Sequence, residues 1–402
     1  MTLSLDKNKK YLLACSFGPD SMALFDMLLK EKYNFDVAHV NYNLRPEAKK
    51  ETEDLIKYCQ DNNIQIHIRY VKEKIDKNIE ENCREIRYKF FKELVDQYNY
   101  DEVLIAHNED DLLETYFLQK HRKNLVNFYG IKENSFQFGI NITRPLLFFT
   151  KEELLNYCLK FHVPFAIDSS NEEDKFLRNK IRHSIVSKLS LEERIELRNE
   201  IDIKNYNLEN LIDYLDSIDL NNVNILLSLK GEVFLRAVTI LSRQIIPESE
   251  ISYRCAKEIE KVLKSSKTNI VMKVNKNLNF IKTYDRCYFE LLDQPTSDFH
   301  YVIEKPSKLD TPYFYLDFTN GAVNRNVTEN DYPLIIRNLT SDDEVLINDY
   351  KVKANRLMID WKVPLNLRKR YPIILNKNGK IIYVPRYQKK FKIDSNTNFY
   401  IK

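Results

Sequence analysis

The first constraint on the fold is an apolar segment that ends in a short turn and continues as a helix. Residues 11–15, Tyr-Leu-Leu-Ala-Cys, predict a buried strand, and the apolar positions of residues 21–30 recur with helical spacing. The loop between them, residues 16–21, reads Ser-Phe-Gly-Pro-Asp-Ser. This arrangement is typical of a phosphate-binding loop, because the first backbone N–H groups of a helix lack partners within it.

Strands and helices continue to alternate as far as residue 121. The further predicted elements are, in chain order, a strand at 35–44, a helix at 47–62, a strand at 64–71, a helix at 77–99, a strand at 102–107 and a helix at 109–121. Alternation of this kind predicts βαβ units and an α/β fold with a parallel sheet. Ligands bind beyond the carboxyl ends of the strands in such sheets, so the residues there are the candidates for function.

The rest of the chain changes character twice. Residues 190–265 are rich in charged helical sequence, and from about residue 268 short β-like runs are separated by Asn, Asp and Pro. We therefore predict a catalytic domain at 1–190, a mainly helical domain at 191–300 and a small β-rich or α/β domain at 301–402.

Composition excludes several classes of protein. The 402 residues include 62 basic and 59 acidic side chains, so a net charge of +3 by itself says nothing about nucleic acid. Six cysteines without a C-x-x-C pair indicate reduced thiols, not a disulfide framework or a zinc site. No apolar run reaches the roughly 18 residues of a membrane span, and the polar first residues do not resemble a signal peptide. We expect a cytoplasmic protein without a membrane partner.

The loop at 16–21 has the residue types that a phosphate needs. Gly18 allows close approach of a ligand, Pro19 suits the first turn of a helix, and the hydroxyls of Ser16 and Ser21 can donate hydrogen bonds. The lysine of a Walker loop is absent, and Asp20 would repel a polyphosphate unless Mg²⁺ lay between them. The alternative is an ordinary strand–turn–helix connection in which Asp20 caps the helix.

A second candidate segment, "AHNEDDLLET", opens the helix at 109–121. His107, Asp110, Asp111 and Glu114 are spaced three or four residues apart, so they share helix faces. Clustered carboxylates are useful if they hold Mg²⁺ or a cationic substrate. The alternative is a solvated acidic first turn, which the helix dipole favours.

Two basic segments could grip phosphate. Arg84 and Arg87 lie on one stripe of a predicted helix with aromatic residues, and Arg178 and Arg182 are four residues apart after the polar turn 168–171. A solvated basic face and a capped surface helix are the respective alternatives.

Taken in order, these segments resemble the PP-loop ATP pyrophosphatase superfamily and, within it, the tRNA(Ile)-lysidine synthetase family. The resemblance covers most of residues 10–190 and again about 330–390, where residues 358–385 are similar to the family's C-terminal module. The loop S-G-G-x-D-S and the strand end H-x-N-H-x-L-R are matched by Ser16, Gly18, Asp20 and Ser21, and by His39, Asn41, Leu44 and Arg45. The other matching positions are Arg84, Arg87, Tyr88, Phe90 and Phe91; Ala106, His107, Asp110, Asp111, Glu114 and Thr115; Arg144 to Leu147; and Asp168, Ser170, Asn171, Arg178, Asn179 and Arg182.

The resemblance implies a Rossmann-like PP-loop domain and a carbon–nitrogen ligase. ATP, with Mg²⁺, would adenylate the wobble cytidine of a CAU-anticodon tRNA(Ile) at C2 and release pyrophosphate. The amine of free L-lysine would then attack C2 and displace AMP. The product, lysidine, pairs with A instead of G, and the tRNA is charged with isoleucine instead of methionine.

The resemblance also implies roles for individual residues. The loop Ser16–Ser21, including Phe17 and Pro19, would cradle ATP, and Asp20 is the proposed metal ligand. Asp111, supported by Asp110 and Glu114, would hold the lysine ammonium or a metal. The remaining catalytic candidates would stabilise developing charge or, for the histidine, orient a carboxylate: Arg84, Arg87, His107, Arg178 and Arg182.

Contacts to the tRNA away from its anticodon are expected from two basic clusters. Such contacts to phosphate supply affinity but not sequence choice, and a solvated surface is the alternative for both clusters. The clusters consist of Lys257, Lys261 and Lys264, and of Arg368, Lys369 and Arg370.

Four departures from the family pattern bear on activity. Phe17 replaces a glycine, so the backbone there must either avoid positive φ or bear strain; Tyr42 and Asn108 each replace a histidine, and Leu112 replaces a glutamine. Rival interpretations are another PP-loop tRNA-modifying enzyme, such as a thiolating one, and a non-catalytic tRNA-binding protein, which Phe17 alone favours. The sequence leaves the oligomeric state open, a homodimer included.

Overall fold

The computed structural model describes residues 2–44, 46–71, 78–122, 125–167, 177–292, 298–319, 327–347, 350–368, 370–385 and 399–401. Its contacts divide the chain into two compact units, Met1–Ile212 and Asp213–Lys402. The division into three domains near residues 190 and 300 stays a proposal. Within the described ranges, no helix combines the length and the apolar character needed to cross a membrane.

The first unit is built on a six-stranded sheet. Its strands are β1 Lys10–Ala14, β2 Asn34–Asn41, β3 Ile66–Tyr70, β4 Glu102–Ile105, β5 Asn134–Gln137 and β6 Ile140–Thr143. The order across the sheet is β3-β2-β1-β4-β6-β5, and all pairs are parallel except β5 with β6. The predicted parallel sheet is confirmed.

Helices cover both faces of this sheet. They are α1 Pro19–Lys30, α2 Ala48–Asp61, α3 Ile79–Tyr98, α4 Glu109–Arg122, α5 Lys151–Phe161, α6 Leu177–Ser184 and α7 Leu191–Ser217. Alternation along β1 serves two cores, since Leu12 packs with Tyr88 and Phe91 of α3, whereas Leu13 packs with Leu24 of α1. A strand that is buried on both faces must be apolar there, as the three buried residues Tyr11, Leu12 and Leu13 of β1 are.

The second unit begins with helices and a small sheet. After the end of α7 come α8 Val223–Ser228, α9 Gly231–Arg243, α10 Tyr253–Lys264, β7 Asn269–Lys273, β8 Leu278–Thr283 and β9 Arg286–Leu291. The three strands form an antiparallel meander. Helix α10 buries Ala256, Ile259 and Leu263, which recur at helical spacing on one face.

The remaining part of the second unit is rich in strands, as predicted. Its elements are β10 His300–Ile303, β11 Lys308–Asp310, β12 Phe314–Asp317, β13 Leu334–Asn338, β14 Glu344–Ile347, β15 Tyr350–Lys353, α11 Ala354–Asp360, α12 Leu365–Arg368, β16 Pro372–Leu375, β17 Ile381–Tyr383 and β18 Phe399–Ile401. They form sheets of order β10-β13-β16-β17 and β11-β12-β18 and a hairpin of β14 with β15.

Buried ion pairs attach the first turns of α7 to the start of α4. Arg194 Nη1 lies 2.9 Å from both Glu109 Oε2 and Asp110 Oδ1, and its Nη2 donates to the carbonyl of Val186 at 3.0 Å. Arg198 Nε lies 3.1 Å from the other oxygen of Glu109. Glu109 and Arg194 are both buried, so neither charge can regain water if its partner is lost.

Replacing Arg194 by methionine should therefore destabilise the protein strongly. Arg194→Met leaves two carboxylates without their shared cation, and we expect a loss of about 3–5 kcal/mol in the free energy of unfolding, measured by urea denaturation. Arg356→Met is the matched control, because Arg356 is exposed and its pair with Asp360 should contribute less than about 1 kcal/mol. Equal effects of the two variants would contradict the assignment.

Candidate active site

The candidate site lies where the strand order changes direction. From β1 the sheet extends to β2 and β3 on one side and to β4 and β6 on the other, so the connections after β1 and β4 diverge and leave a crevice. A cavity of about 250 Å³ lies there. The sequence-predicted site residues that line it are Ser16, Asp20, Ser21, Arg87, His107 and Asp111.

The loop after β1 leaves the first N–H groups of α1 without a side-chain cap. Gly18 is the N-cap in extended conformation and has no side chain with which to cap the helix, while its own N–H donates to Ser16 Oγ at 3.4 Å. The alternative role of Asp20 as the cap is therefore not what the structure shows. Ser21 Oγ donates to the Gly18 carbonyl at 3.0 Å and accepts from the Ser16 N–H at 3.3 Å, which closes the loop on itself. A helix start of this kind suits an anion.

The backbone at Phe17 does not avoid positive φ and therefore bears strain. Its φ is 68°, in the left-handed region that costs roughly 1–2 kcal/mol for a residue with a Cβ. The ring is buried in the core beneath α1, which returns roughly 1.5–3 kcal/mol. Its carbonyl accepts from the Ala166 N–H at 2.9 Å. Phe17 is thus accommodated in the loop without occupying the cavity.

A buried polar network holds the start of the loop. His39 Nδ1 lies 2.8 Å from the Cys15 carbonyl, so it donates there, and its Nε2 lies 3.0 Å from Thr52 Oγ1. Asn41 Nδ2 donates to the same hydroxyl at 2.9 Å. Burial lowers the pKa of His39, which keeps the imidazole neutral. The motif residues of β2 therefore position the loop and do not line the cavity.

Asp20 has a carboxylate oxygen without a partner. Its Oδ1 is buried and accepts no hydrogen bond within the described part of the chain. Burial, and then the charge of Asp111, raise the pKa of Asp20 to about 7, while the charge of Lys151 lowers it. An orphaned carboxylate oxygen close to a second acid is a setting that a divalent cation satisfies.

The carboxylates at the cavity can be tested for their fit to a metal ion. Among the residues that the structure describes, no three His, Cys, Asp or Glu side chains are grouped so as to hold a metal ion. Mg²⁺ in nucleotide sites is commonly held by one or two carboxylates together with phosphates of the substrate. The donor set around Asp20 therefore fits Mg²⁺ that arrives with a nucleotide.

Asp111 is fixed by a capping interaction at the start of α4. Asn108 Oδ1 accepts from the Asp111 N–H, and Asp111 Oδ2 accepts from the Asn108 N–H, each at 3.1 Å. This reciprocal pair explains the asparagine at position 108, because a short amide is a favoured N-cap. Arg178 Nη2 donates to Asp111 Oδ1 at 2.8 Å, so the carboxylate is held from both sides.

Glu114 is fully buried and joins two arginines of α6. Its Oε2 accepts from Arg178 Nε at 2.8 Å and from Arg182 Nη2 at 3.1 Å, and its Oε1 accepts from Arg182 Nε. Arg178 and Arg182 therefore have an anionic partner within the protein, Glu114. Neither Glu114 nor the two arginines line this cavity, but Arg178 reaches it through its bond to Asp111.

His107 is a neutral imidazole surrounded by arginines. Its Nδ1 accepts from Arg144 Nε at 3.1 Å, which assigns the proton to Nε2. Burial, followed by the charges of Arg144, Arg178, Arg87 and Arg84, lowers the pKa of His107 to about 3. His107 can therefore donate a hydrogen bond at neutral pH, but it does not transfer protons there.

Arg87 and Arg84 line different cavities. Arg87 lines the cavity, and its Nε is buried without a hydrogen-bond partner in the described part of the chain. Arg84 lies over the ring of Tyr88 at 4.5 Å and donates to Gln137 Oε1 at 3.4 Å. Asp110, in contrast to Asp111, is engaged by Arg194 and does not line the cavity.

The tRNA-binding candidates lie in the second unit. Lys257, Lys261 and Lys264 are exposed on α10, where Lys261 and Lys264 pair with Glu258 and Glu260. In the other cluster, Arg368 donates to the Val363 carbonyl and to the hydroxyl of Tyr284, and Arg370 has a buried Nε without a partner in the described ranges. Lys369, Arg45 and the polar turn 168–171 lie outside the described residues.

Sequence reasoning assigned no role to two further cations of the site. Arg144, noted only as part of a motif, is buried beside His107 and is held by the Lys132 carbonyl at 2.7 Å and Ser135 Oγ at 3.0 Å. Lys151 begins α5 and places positive charge near Asp20. The capping box of Thr150 and Glu153 marks this helix start in the sequence, but nothing local shows which loop it faces.

Comparison with known proteins identifies the family. The PP-loop domain family matches residues 2–189. A tRNA(Ile)-lysidine synthase of Mycoplasma mycoides subsp. mycoides is 30% identical over 94% of this chain and 97% of its own length. Another, from Ureaplasma parvum, is 40% identical over 54% of this chain and 65% of its own. The solved structure of a U34-tRNA thiolase from Methanococcus maripaludis is similar over 47% of this chain and 76% of the thiolase chain. The sequence identity is 16% and the TM-score is 0.35, so the likeness is distant. The chain belongs to the tRNA(Ile)-lysidine synthase family.

Proposed function

We propose that this protein joins free L-lysine to C2 of the wobble cytidine in the CAU anticodon of tRNA(Ile), at the expense of ATP. The observation that carries the proposal is the cavity at the strand switch point, where the loop after β1 meets Asp20, Asp111, Arg87 and His107. An uncapped helix start suits the phosphates of ATP, and the acids suit a cation and an amine.

In the first step the C2 carbonyl oxygen of cytidine attacks the α-phosphorus of ATP and pyrophosphate leaves. The loop Ser16–Ser21 holds phosphate oxygens through the N–H groups of α1 and through its hydroxyls. Arg87, whose buried Nε has no described partner, offsets the charge on the α-phosphate in the transition state. The Nε2–H of His107 is a further donor for that charge.

Asp20, with Asp111 nearby, would hold Mg²⁺. The metal supplies charge neutralisation on the phosphates, which answers why a phosphate-binding loop carries an acid in place of the Walker lysine. Within the protein, the positive charge of Lys151 favours the ionised form of Asp20 by lowering its pKa.

In the second step the amine of lysine attacks C2 and AMP leaves. Asp111 is the proposed acceptor for the lysine ammonium, because it lines the cavity and is held in place by Asn108 and Arg178. Glu114 positions Arg178 and Arg182, and Asp110 supports the site through its bond to Arg194. The pair of arginines on α6 would stabilise charge on the adduct and the departing AMP.

The second unit would grip the tRNA away from the anticodon. The exposed lysines of α10, Lys257, Lys261 and Lys264, and the cluster of Arg368 and Arg370 are the proposed phosphate contacts. We further propose the three domains 1–190, 191–300 and 301–402, and a cytoplasmic location, where the tRNA is used. A homodimer is a proposal that the solution mass tests against the 48.0 kDa of one chain.

The chemistry of the cysteines argues against a thiolating enzyme. Burial raises the pKa of all six thiols, including those of Cys83 and Cys255, the two that are only partly buried. A catalytic cysteine needs a thiolate, and so a lowered pKa. The accommodated ring of Phe17 likewise removes the one feature that favoured a non-catalytic protein.

Incorporation of labelled lysine tests the function directly. With ATP and Mg²⁺, an unmodified CAU tRNA(Ile) transcript should acquire label, with one AMP released per lysine, whereas the CAU tRNA(Met) control should not. Label in both tRNAs would contradict the specificity, and tRNA binding without label or AMP would support the non-catalytic alternative.

Replacing Asp20 by asparagine should abolish activity and stabilise the free protein. We expect lysidine formation to fall about 100-fold or more, because the proposed Mg²⁺ ligand is lost. The pKa of about 7 means that the folded protein favours the protonated form of Asp20. As pH rises from about 4 to 7, the carboxyl ionises in the unfolded chain before it does in the folded protein. The wild type therefore loses stability over this range.

The stability advantage of Asp20→Asn over wild type should accordingly grow between pH 5 and pH 8, by on the order of 2 kcal/mol. Urea denaturation without ATP or Mg²⁺ at both pH values measures it. Asp54→Asn, at an exposed position on α2, is the control and should show no such growth. A pH-independent difference for Asp20→Asn would refute the proposed burial of an unpaired carboxylate.

A further inference from the structure

A second, larger cavity adjoins the candidate active site. It has a volume of about 830 Å³ and shares His107 with the first cavity. Among the described residues that line it, none is acidic and five are cationic: Arg84, Arg122, Lys132, Arg144 and Arg178. A groove with this charge suits a polyanion, and its opening at His107 places that polyanion beside the reacting groups.

An aromatic hairpin forms one wall of this groove. β5 and β6 are joined by the two residues Phe138 and Gly139, both with positive φ. Asparagine, aspartate or glycine is the usual first residue of such a turn, so an aromatic residue there is strained. Phe138 is nevertheless 53% exposed, and Phe136 on β5 is 72% exposed. Burial therefore does not account for the choice of these residues.

The ring of Phe138 is stacked against its neighbours in the first unit. Phe138 stacks on Tyr88 with centroids 4.5 Å apart and an interplanar angle of 26°. The guanidinium of Arg84 lies over both rings, 4.5 Å from the centroid of Tyr88 and 5.7 Å from that of Phe138. Exposed rings beside arginines are the surface on which unpaired bases stack in single-stranded RNA.

We propose that the β5–β6 hairpin is a stacking platform for anticodon-loop nucleotides next to the wobble cytidine, with Phe136 and Phe138 as the contacting rings. The proposal rests on the proposed function and deepens it. The cations of the groove bind the phosphates of the anticodon loop. The rings stack on a neighbouring base and separate it from the other bases of the anticodon loop, so that the cytidine can enter the cavity at His107. Duplex RNA is excluded as the partner, since its bases present no free faces.

Steady-state kinetics with the full chain test the platform. Phe136→Ala should raise the KM for tRNA(Ile) about fivefold or more, while the KM for ATP changes less than about twofold. Phe136→Tyr keeps a ring and should restore the wild-type KM for tRNA. Phe148→Ala is the matched control, since Phe148 is 55% exposed in the same unit and lines neither cavity.

Phe138→Asn separates folding from recognition. Asparagine before Gly139 is favoured in this turn, so the hairpin should persist and the melting temperature should not fall by more than a few degrees. A raised KM for tRNA in this folded variant supports the platform. An unchanged KM in both Phe136→Ala and Phe138→Asn, with lysine still incorporated, overturns it without affecting the proposed function.

A fluorescent ring reports the contact itself. Trp361 is the only tryptophan, so Phe136→Trp in a Trp361→Phe background carries a single emitter. Binding of a CAU anticodon stem-loop RNA should quench it, whereas the same RNA should leave Phe148→Trp in that background unchanged. Absence of quenching at RNA concentrations that inhibit lysidine formation would overturn the proposal. Absence of lysidine formation by the wild type would instead contradict the proposed function.

Discussion

The arginine–carboxylate pairs along helix α4 fix the geometry on which the candidate site depends. Glu109 binds Arg194 of α7, and Glu114 binds Arg178 and Arg182 of α6, all at little or no exposure of the carboxylate. Such pairs gain little net stability over apolar packing, but each charge is costly to leave alone, so an approach of the helices that separated the partners would be disfavoured. The same pairs give both carboxylates partners inside the protein. Against that background, the orphaned oxygen of Asp20 stands out as the place for a ligand.

Two aromatic residues with left-handed backbone flank the site, and their environments differ. Phe17 recovers its strain through burial of its ring, which explains how the loop tolerates the loss of a glycine. Phe138 gains a stacking contact with Tyr88 and a cation–π contact with Arg84, but keeps half of its surface in water. Strain that burial does not offset is expected where a residue is retained for binding. The two residues therefore call for different explanations, packing for Phe17 and recognition for Phe138.

Local signals in the sequence were sufficient for the individual elements up to residue 121, but they missed β5, β6 and α5 and did not reveal which side chains pair. The strand before Ser16 and the helix after it follow from periodicity and turn chemistry, and the parallel sheet follows from alternation. The pairing of Glu114 with Arg178 spans 64 positions and that of Glu109 with Arg194 spans 85, so no window along the chain reveals them. Spacing alone made Asp110 and Asp111 equivalent. Only the capping bond of Asp111 to Asn108 and the bond of Asp110 to Arg194 distinguish them.

The arginines that have no carboxylate partner determine which ligands the site favours. Arg84, Arg87 and Arg144 have no carboxylate partner within the described residues, and all three depress the pKa of His107, which lies where the two cavities meet. A neutral nucleoside would leave this positive field uncompensated. A polyphosphate in the first cavity and an RNA backbone in the second would offset it from both sides. The arginines that keep the imidazole neutral thus also favour ATP and RNA bound together, as direct transfer between them requires.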